Sequence, residues 1–187
     1  MKSPDLDAWL NQPIELTQRE KENLQEFQDL LQFNILSWNE QELALHFIGP
    51  VFSLVRFSTE QFNLFAERYI EAIVDDVKLS GKPDGLIATG YFEPEKPFFC
   101  FQEYKKEVDN SGDPIGQVVA AMIVGQQLNQ ENLLMYGCYV IGRNWHFVTL
   151  NERNYSISQA FEATTDDLFH IFRILKVLKQ RIIQQTA

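Results

Sequence analysis

Lys82-Pro83-Asp84-Gly85 and Gln102-Glu103-Tyr104-Lys105 are the two short stretches on which the reading of this chain turns. Eighteen residues separate Asp84 from Glu103, and one residue separates Glu103 from Lys105. Phe98–Glu107 reads as a strand, where successive side chains alternate between faces. Glu103 and Lys105 therefore share a face, about 7 Å apart along the strand. Asp84 is expected on the neighbouring strand. Two carboxylates and an amine are the equipment of metal-dependent phosphodiester hydrolysis. The carboxylates hold a divalent cation, and the amine serves the attacking water or the charge that develops on the phosphoryl oxygens. By itself the pattern also describes a solvated charged strand, and Pro-Asp recurs at Pro4-Asp5. The surroundings decide.

Upstream, Thr17 and Glu20 form a capping-box pattern. Leu24, Phe27, Leu30, Leu31 and Ile35 follow it at helical spacing. A second helix starts near Asn39 and carries Leu43, Phe47 and Ile48, with Pro50 expected to kink or end it. Residues 66–74 read as a first strand, Asp75-Asp76 as a turn, and Val77–Thr89 as a second strand carrying Asp84. Glu93–Pro97 is a polar loop before the third strand. Downstream, Asp109–Asp113 reads as a loop and Pro114–Asn129 as a helix with proline in its first turn. Leu134–Ile141 and Trp145–Leu150 are strands joined by Gly142-Arg143-Asn144. Tyr155–Ile157 is a short strand. A closing helix from Asp166 places Leu168, Phe169, Phe172, Leu175, Leu178 and Ile182 on one stripe. The expected class is α/β with a mixed sheet. One domain spans 1–187: a helical extension (1–38), a core (39–150), and a C-terminal strand and helix (151–187).

Motif and element order together resemble the PD-(D/E)XK nuclease superfamily. The chain is especially similar to the nuclease-like N-terminal domain of type I restriction endonuclease motor subunits. The resemblance covers roughly residues 39–150. Its core order is helix, three-strand meander, helix, strand, with the aspartate on the second strand and Glu-x-Lys on the third. Asn39-Glu40, with Pro50 ten residues after the glutamate, resembles the first core helix of the restriction family. Glu40 is carried over as a helper in metal binding, with Glu42 as a nearby substitute; an acid satisfying the helix dipole is the alternative. Gln117 resembles the glutamine on the helix after Glu-x-Lys, although Ala121 stands where related nucleases carry tyrosine. Ala44 stands where the restriction family has an arginine. The resemblance implies that Asp84, Glu103 and the Tyr104 carbonyl bind Mg²⁺ or Mn²⁺. It implies that Lys105 orients the water or stabilises phosphoryl charge, with Gln117 as a substrate contact. Lys82 shares a strand face with Asp84 and is a candidate phosphate contact, with an exposed strand-end lysine as the alternative.

Composition sets the bounds. Of 187 residues 45% are hydrophobic, 15 of them Phe, which is ample for a core. Cys100 and Cys138 lie in apolar strands and read as inert buried thiols. The opening residues lack an apolar signal region, and no run is long enough for a membrane span. A cytoplasmic protein is the expectation. The net charge of −10 argues against a strong sequence-independent grip on phosphates. Weak binding of nucleic acid, with DNA as the expected substrate, fits better. The acidity leaves room for a partner protein supplying basic surface. Arg173, Lys176, Lys179 and Arg181 make the last helix locally basic, suited to a phosphate backbone or to the helix C-terminus itself. His46, His146 and His170 are scattered without zinc-site spacing, and no P-loop or nucleophile-elbow pattern occurs. The alternative to a nuclease is a binding or interaction module that keeps the fold without cleaving.

Overall fold

The computed structural model describes residues 3–108, 112–130 and 133–186. The chain begins with α1 (Pro4–Leu10), α2 (Gln18–Asn34), α3 (Glu40–Leu43), a π-helical turn (Ala44–Ile48) and α4 (Gly49–Val55). Strands β1 (Asn63–Ala66), β2 (Ile70–Val74), β3 (Val77–Gly81), β4 (Gly85–Thr89) and β5 (Glu95–Lys105) follow. Then come α5 (Pro114–Asn129), β6 (Met135–Ile141), β7 (Asn144–Asn151), β8 (Asn154–Ile157), β9 (Phe161–Glu162) and α6 (Asp167–Thr186). This is a mixed α/β fold. Among the described residues the main sheet runs β1-β4-β5-β6-β7-β8, with β9 also on β7. β5 and β6 are parallel and the other pairs antiparallel. A parallel pair needs a crossover, and α5 supplies it.

The sheet is buried on both faces. Ile87, Cys100, Tyr104, Cys138, Val140 and Phe147 point to a core shared with α1, α2, α4 and α6. Leu86, Phe101, Met135, Tyr139 and Val148 point the other way, to α5 and the β2–β3 hairpin. Alternation along the strands produces this division. Close approach of α5 depends on Gly125, where a Cβ would stand 2.4 Å from the Phe101 ring.

Two expected strands each divide in two. The stretch 66–74 splits into the end of β1 and β2, because Glu67 adopts a left-handed φ of +50° that no regular strand tolerates. The stretch 77–89 splits into β3 and β4 at Lys82-Pro83, where proline removes a ladder donor. Among the described residues β2 and β3 pair only with each other. Their turn is Asp75-Asp76, both at positive φ (+49° and +63°), as a tight two-residue hairpin requires. The hairpin is thus inserted between β1 and β4, and the meander of the main sheet is β1-β4-β5.

The second helix passes Pro50 rather than stopping there. Gly49 N–H bonds to Ala44 O, five residues back. This wide turn takes the helix past the proline ring, which would crowd an ordinary turn. The third strand starts at Glu95 and ends at Lys105, against the expected 98–107. α1 was not anticipated. It is capped by Ser3 and buries Leu6 and Trp9. Of the expected loop 109–113, residues 109–111 lie outside the described residues. No helix among the described residues is long and apolar enough to cross a membrane.

Candidate functional site

Asp84 lies one residue before β4 rather than within a strand. The β4–β5 ladder pairs Gly85 with Gln102 and Leu86 with Phe101. One further step along that register brings Asp84 opposite Glu103, on the same face. The Tyr104 backbone N–H donates to Asp84 Oδ2 at 2.6 Å, so the carboxylate is held against the strand that carries Glu103 and Lys105.

Lys105 is the centre of the cluster. Its Nζ donates to Glu103 Oε1 at 2.8 Å and to the Tyr104 carbonyl at 2.9 Å. Glu40 Oε2 lies 3.5 Å from the same nitrogen. Glu40 comes from the first turn of α3, whose cap explains the division of labour there. Asn39 and Glu42 form a reciprocal capping box: Glu42 N–H donates to Asn39 Oδ1, and Asn39 N–H to Glu42 Oε2. Glu42 is therefore committed to the helix end, and Glu40 is the acid that reaches the cluster.

Burial and charge shape these groups. The Glu103 side chain is 7% exposed and that of Lys105 15%. Burial pushes the Asp84 carboxyl up, to about 6. The Tyr104 N–H opposes this rise, Glu103 adds to it, Lys105 opposes it and Glu40 adds to it. Burial alone would lower the Lys105 amine, but the Glu103 hydrogen bond and the charges of Glu103, Glu40 and Asp84 raise it overall. Lys105 is therefore an ammonium at neutral pH, suited to stabilising negative charge and unsuited to serving as a base.

Gln117 lies near but makes no hydrogen bond to Lys105 or Glu103 among the described residues. Gly112, at φ +89°, stands beside both; a Cβ there would lie 3.8 Å from Gln117 Oε1 and from Lys105 Cε, an ordinary van der Waals distance. Lys82 is exposed at the base of the β2–β3 hairpin. With Glu103, Asp113 and Gln117 it lines a pocket of about 330 Å³ between the hairpin and the start of α5. A second pocket, of about 400 Å³, is lined by Glu40, Asp84, Gln102 and Tyr104. The charged cluster sits between the two.

Three supporting residues escaped the sequence reading. Gln102 is fully buried and accepts the Tyr104 hydroxyl. Glu107 accepts Arg143 N–H at 2.9 Å and Arg143 Nε at 2.7 Å. Gly142 N–H donates to the Lys105 carbonyl at 2.8 Å. The last two bonds anchor the end of β5, and so the backbone of Lys105, to the β6–β7 turn. No local pattern announces a contact 36 residues distant. The basic end of α6 is largely used internally. Lys176 pairs with Glu20 at 2.9 Å. Lys179 donates to the Val55 carbonyl at 3.1 Å, and Arg181 bonds Ala8, Gln12 and Tyr136.

The donor set here is Asp84, Glu103, Glu40 and the Tyr104 carbonyl, all hard oxygens of the kind Mg²⁺ and Mn²⁺ select. Among the described residues, no group of three or more His, Cys, Asp and Glu side chains is placed so that it could hold a metal ion. The cation on two of those oxygens is the Lys105 ammonium. No protein-family model matches the chain, and no curated protein is detectably similar to it.

Proposed function

We propose that this protein hydrolyses phosphodiester bonds in nucleic acid, with DNA the expected substrate, using Asp84, Glu103 and Lys105 and a divalent metal. The observation that carries the reading is the Lys105 ammonium held on Glu103 Oε1 and the Tyr104 carbonyl, with Asp84 accepting the backbone N–H of that same Tyr104. The order β1-β4-β5, then α5, then parallel β6 also agrees with the restriction-endonuclease-like core that the sequence resembles.

In this reading Asp84, Glu103 and the Tyr104 carbonyl hold Mg²⁺ or Mn²⁺, with Glu40 beside them. The metal would supply Lewis-acid polarisation of a phosphoryl oxygen. Asp84 accepts a β5 backbone N–H and Glu103 lies on that strand, which supports their acting together. Lys105 offers its ammonium to the charge that grows on the phosphoryl oxygens. Lys82 and Gln117 line the adjoining pocket, where a phosphate flanking the cut would lie. With a net charge of −10, grip on the backbone is weak, and a partner protein with basic surface would complement it.

A second reading has its own support. Lys105 satisfies Glu103 without any metal, so the cluster is tolerable in a non-catalytic binding module acting with a partner. The experiment is incubation of purified protein with supercoiled plasmid, single-stranded DNA and RNA, with Mg²⁺ or Mn²⁺. The nuclease reading expects metal-dependent nicking or degradation that Lys105→Ala abolishes. No cleavage of any substrate, or equal cleavage by the variant, leaves the binding module.

A further inference from the structure

The position of the Lys105 ammonium carries a consequence for metal binding that rests on the nuclease reading. Its two short contacts, 2.8 Å to Glu103 Oε1 and 2.9 Å to Tyr104 O, use two oxygens that the metal also needs. Mg²⁺ approaches its oxygen ligands to about 2.1 Å. A lysine ammonium and a divalent ion on the same two oxygens would lie within a few ångströms of each other. In a site this enclosed, two cations at that distance repel strongly.

We propose that Lys105 is a displaceable internal counter-cation, which competes with divalent metal for Glu103 and the Tyr104 carbonyl in the free protein and yields them when a substrate phosphate draws it away.

Three features of the site fit this role. First, the cluster holds three carboxylates, Asp84, Glu103 and Glu40, against one ammonium, so removing the metal leaves a surplus of negative charge that Lys105 partly neutralises. Second, the displaced ammonium has somewhere to go. Glu40 already lies 3.5 Å away and is more exposed, at 42%, and it lines an open pocket of about 400 Å³. Third, the lysine stem is flexible and its ammonium presents three donors, so it can exchange a carboxylate and a carbonyl for phosphate oxygens. Metal and phosphate then bind with positive coupling, since each favours the arrangement in which Lys105 has left Glu103.

The test measures metal affinity rather than turnover. Mn²⁺ is titrated calorimetrically into wild type, Lys105→Met, Lys105→Gln and Lys105→Arg, with Asp84→Asn as a control lacking a ligand. Both neutral variants should bind Mn²⁺ about tenfold more tightly than wild type, although they cleave far more slowly. Lys105→Arg, which keeps a cation, should stay near wild type, and Asp84→Asn should bind more weakly. Inorganic phosphate should tighten Mn²⁺ binding to wild type and do so less in the neutral variants. Two neutral substitutions guard against one that folds poorly. Wild-type binding with equal or weaker binding by both neutral variants overturns the competition and leaves the metal site standing. Absence of Mn²⁺ binding in wild type and neutral variants alike overturns the competition and the metal-dependent nuclease reading together.

Discussion

Two buried Lys–Glu pairs in this molecule are nearly the same at the contact and opposite in character. Lys105–Glu103 at the end of β5 measures 2.8 Å, with side chains 15% and 7% exposed. Lys176–Glu20, joining α6 to α2, measures 2.9 Å, with 20% and 17%. Around the second pair the charges balance. Glu20 also accepts the Thr17 N–H and hydroxyl, and Lys176 also donates to the Glu15 carbonyl. Burial resists ionisation of Glu20, yet the Thr17 and Lys176 contacts together hold its carboxyl below the usual range. Around the first pair Asp84 and Glu40 remain as surplus negative charge, and Asp84 is pushed up to about 6. Surplus charge of the kind around the first pair is what functional sites accumulate, because a ligand relieves it. A contact distance does not distinguish a structural ion pair from a site; the charge left over does.

The sharpest way to break this comparison is to delete each lysine. Lys105→Ala should reduce metal-dependent cleavage by about 10²–10³-fold, as loss of a charge-stabilising donor does. Lys176→Ala should leave turnover unchanged and lower stability by about 1–2 kcal/mol, because it strands Glu20 in a partly buried place. Plasmid nicking and urea denaturation separate the two effects.

Neutralising the acids should move stability in opposite directions. Without metal at pH 7.5, Asp84→Asn should stabilise the fold by about 1–2 kcal/mol, a value discounted for partial exposure. Glu20→Gln should destabilise it by about 1 kcal/mol. The pH dependence separates them further. The Asp84 pKa is higher folded than unfolded, so the native state holds its proton more tightly. The stability this provides is complete below about 4 and is lost as pH rises to about 6. Glu20 has a lowered folded pKa, so its contribution is present above its ordinary value of 4.5 and is lost as pH falls below it. Urea titrations of each variant from pH 3.5 to 8 should show the wild-type slope flatten between 4 and 6 only for Asp84→Asn. An Asp84→Asn protein less stable than wild type at pH 7.5 would remove the contrast.

Smaller effects follow. Millimolar Mg²⁺ or Mn²⁺ should raise the melting temperature of wild type by a few degrees through mass action, and Asp84→Asn should lose that shift. Differential scanning fluorimetry reads both. The smallest effect concerns Lys82. Lys82→Glu should weaken Mg²⁺-dependent nucleic-acid binding a few-fold, as expected for one phosphate contact. Lys179→Glu should leave binding alone and instead lower stability, since Lys179 is bonded to the Val55 carbonyl. Fluorescence anisotropy with a labelled oligonucleotide distinguishes them.

Much of the scaffold was legible because its signals are local. Thr17 and Glu20 mark the start of α2 with a complete capping box. Pro114 and Asn129 bound α5 as expected, and Asp75-Asp76 turns the hairpin. The spacing of Glu103 and Lys105 placed them on one face of β5, since alternation is a property of any strand. The divided strands were harder. The apolar pattern runs on through 66–74 and 77–89, and only the backbone at Glu67 and Lys82-Pro83 interrupts it.

The sequence by itself determined which residue types could form a site and that Glu103 and Lys105 must lie together, because both facts depend on a few neighbouring residues. Only the tertiary structure decided that Glu40, 65 positions before Lys105, would face it. It also decided that the lysines of α6 would serve as clamps rather than as a phosphate-binding face. Partners distant in sequence are chosen by how layers pack and by which charges remain uncompensated once they do. That balance is a property of the assembled interior, and no local pattern encodes it.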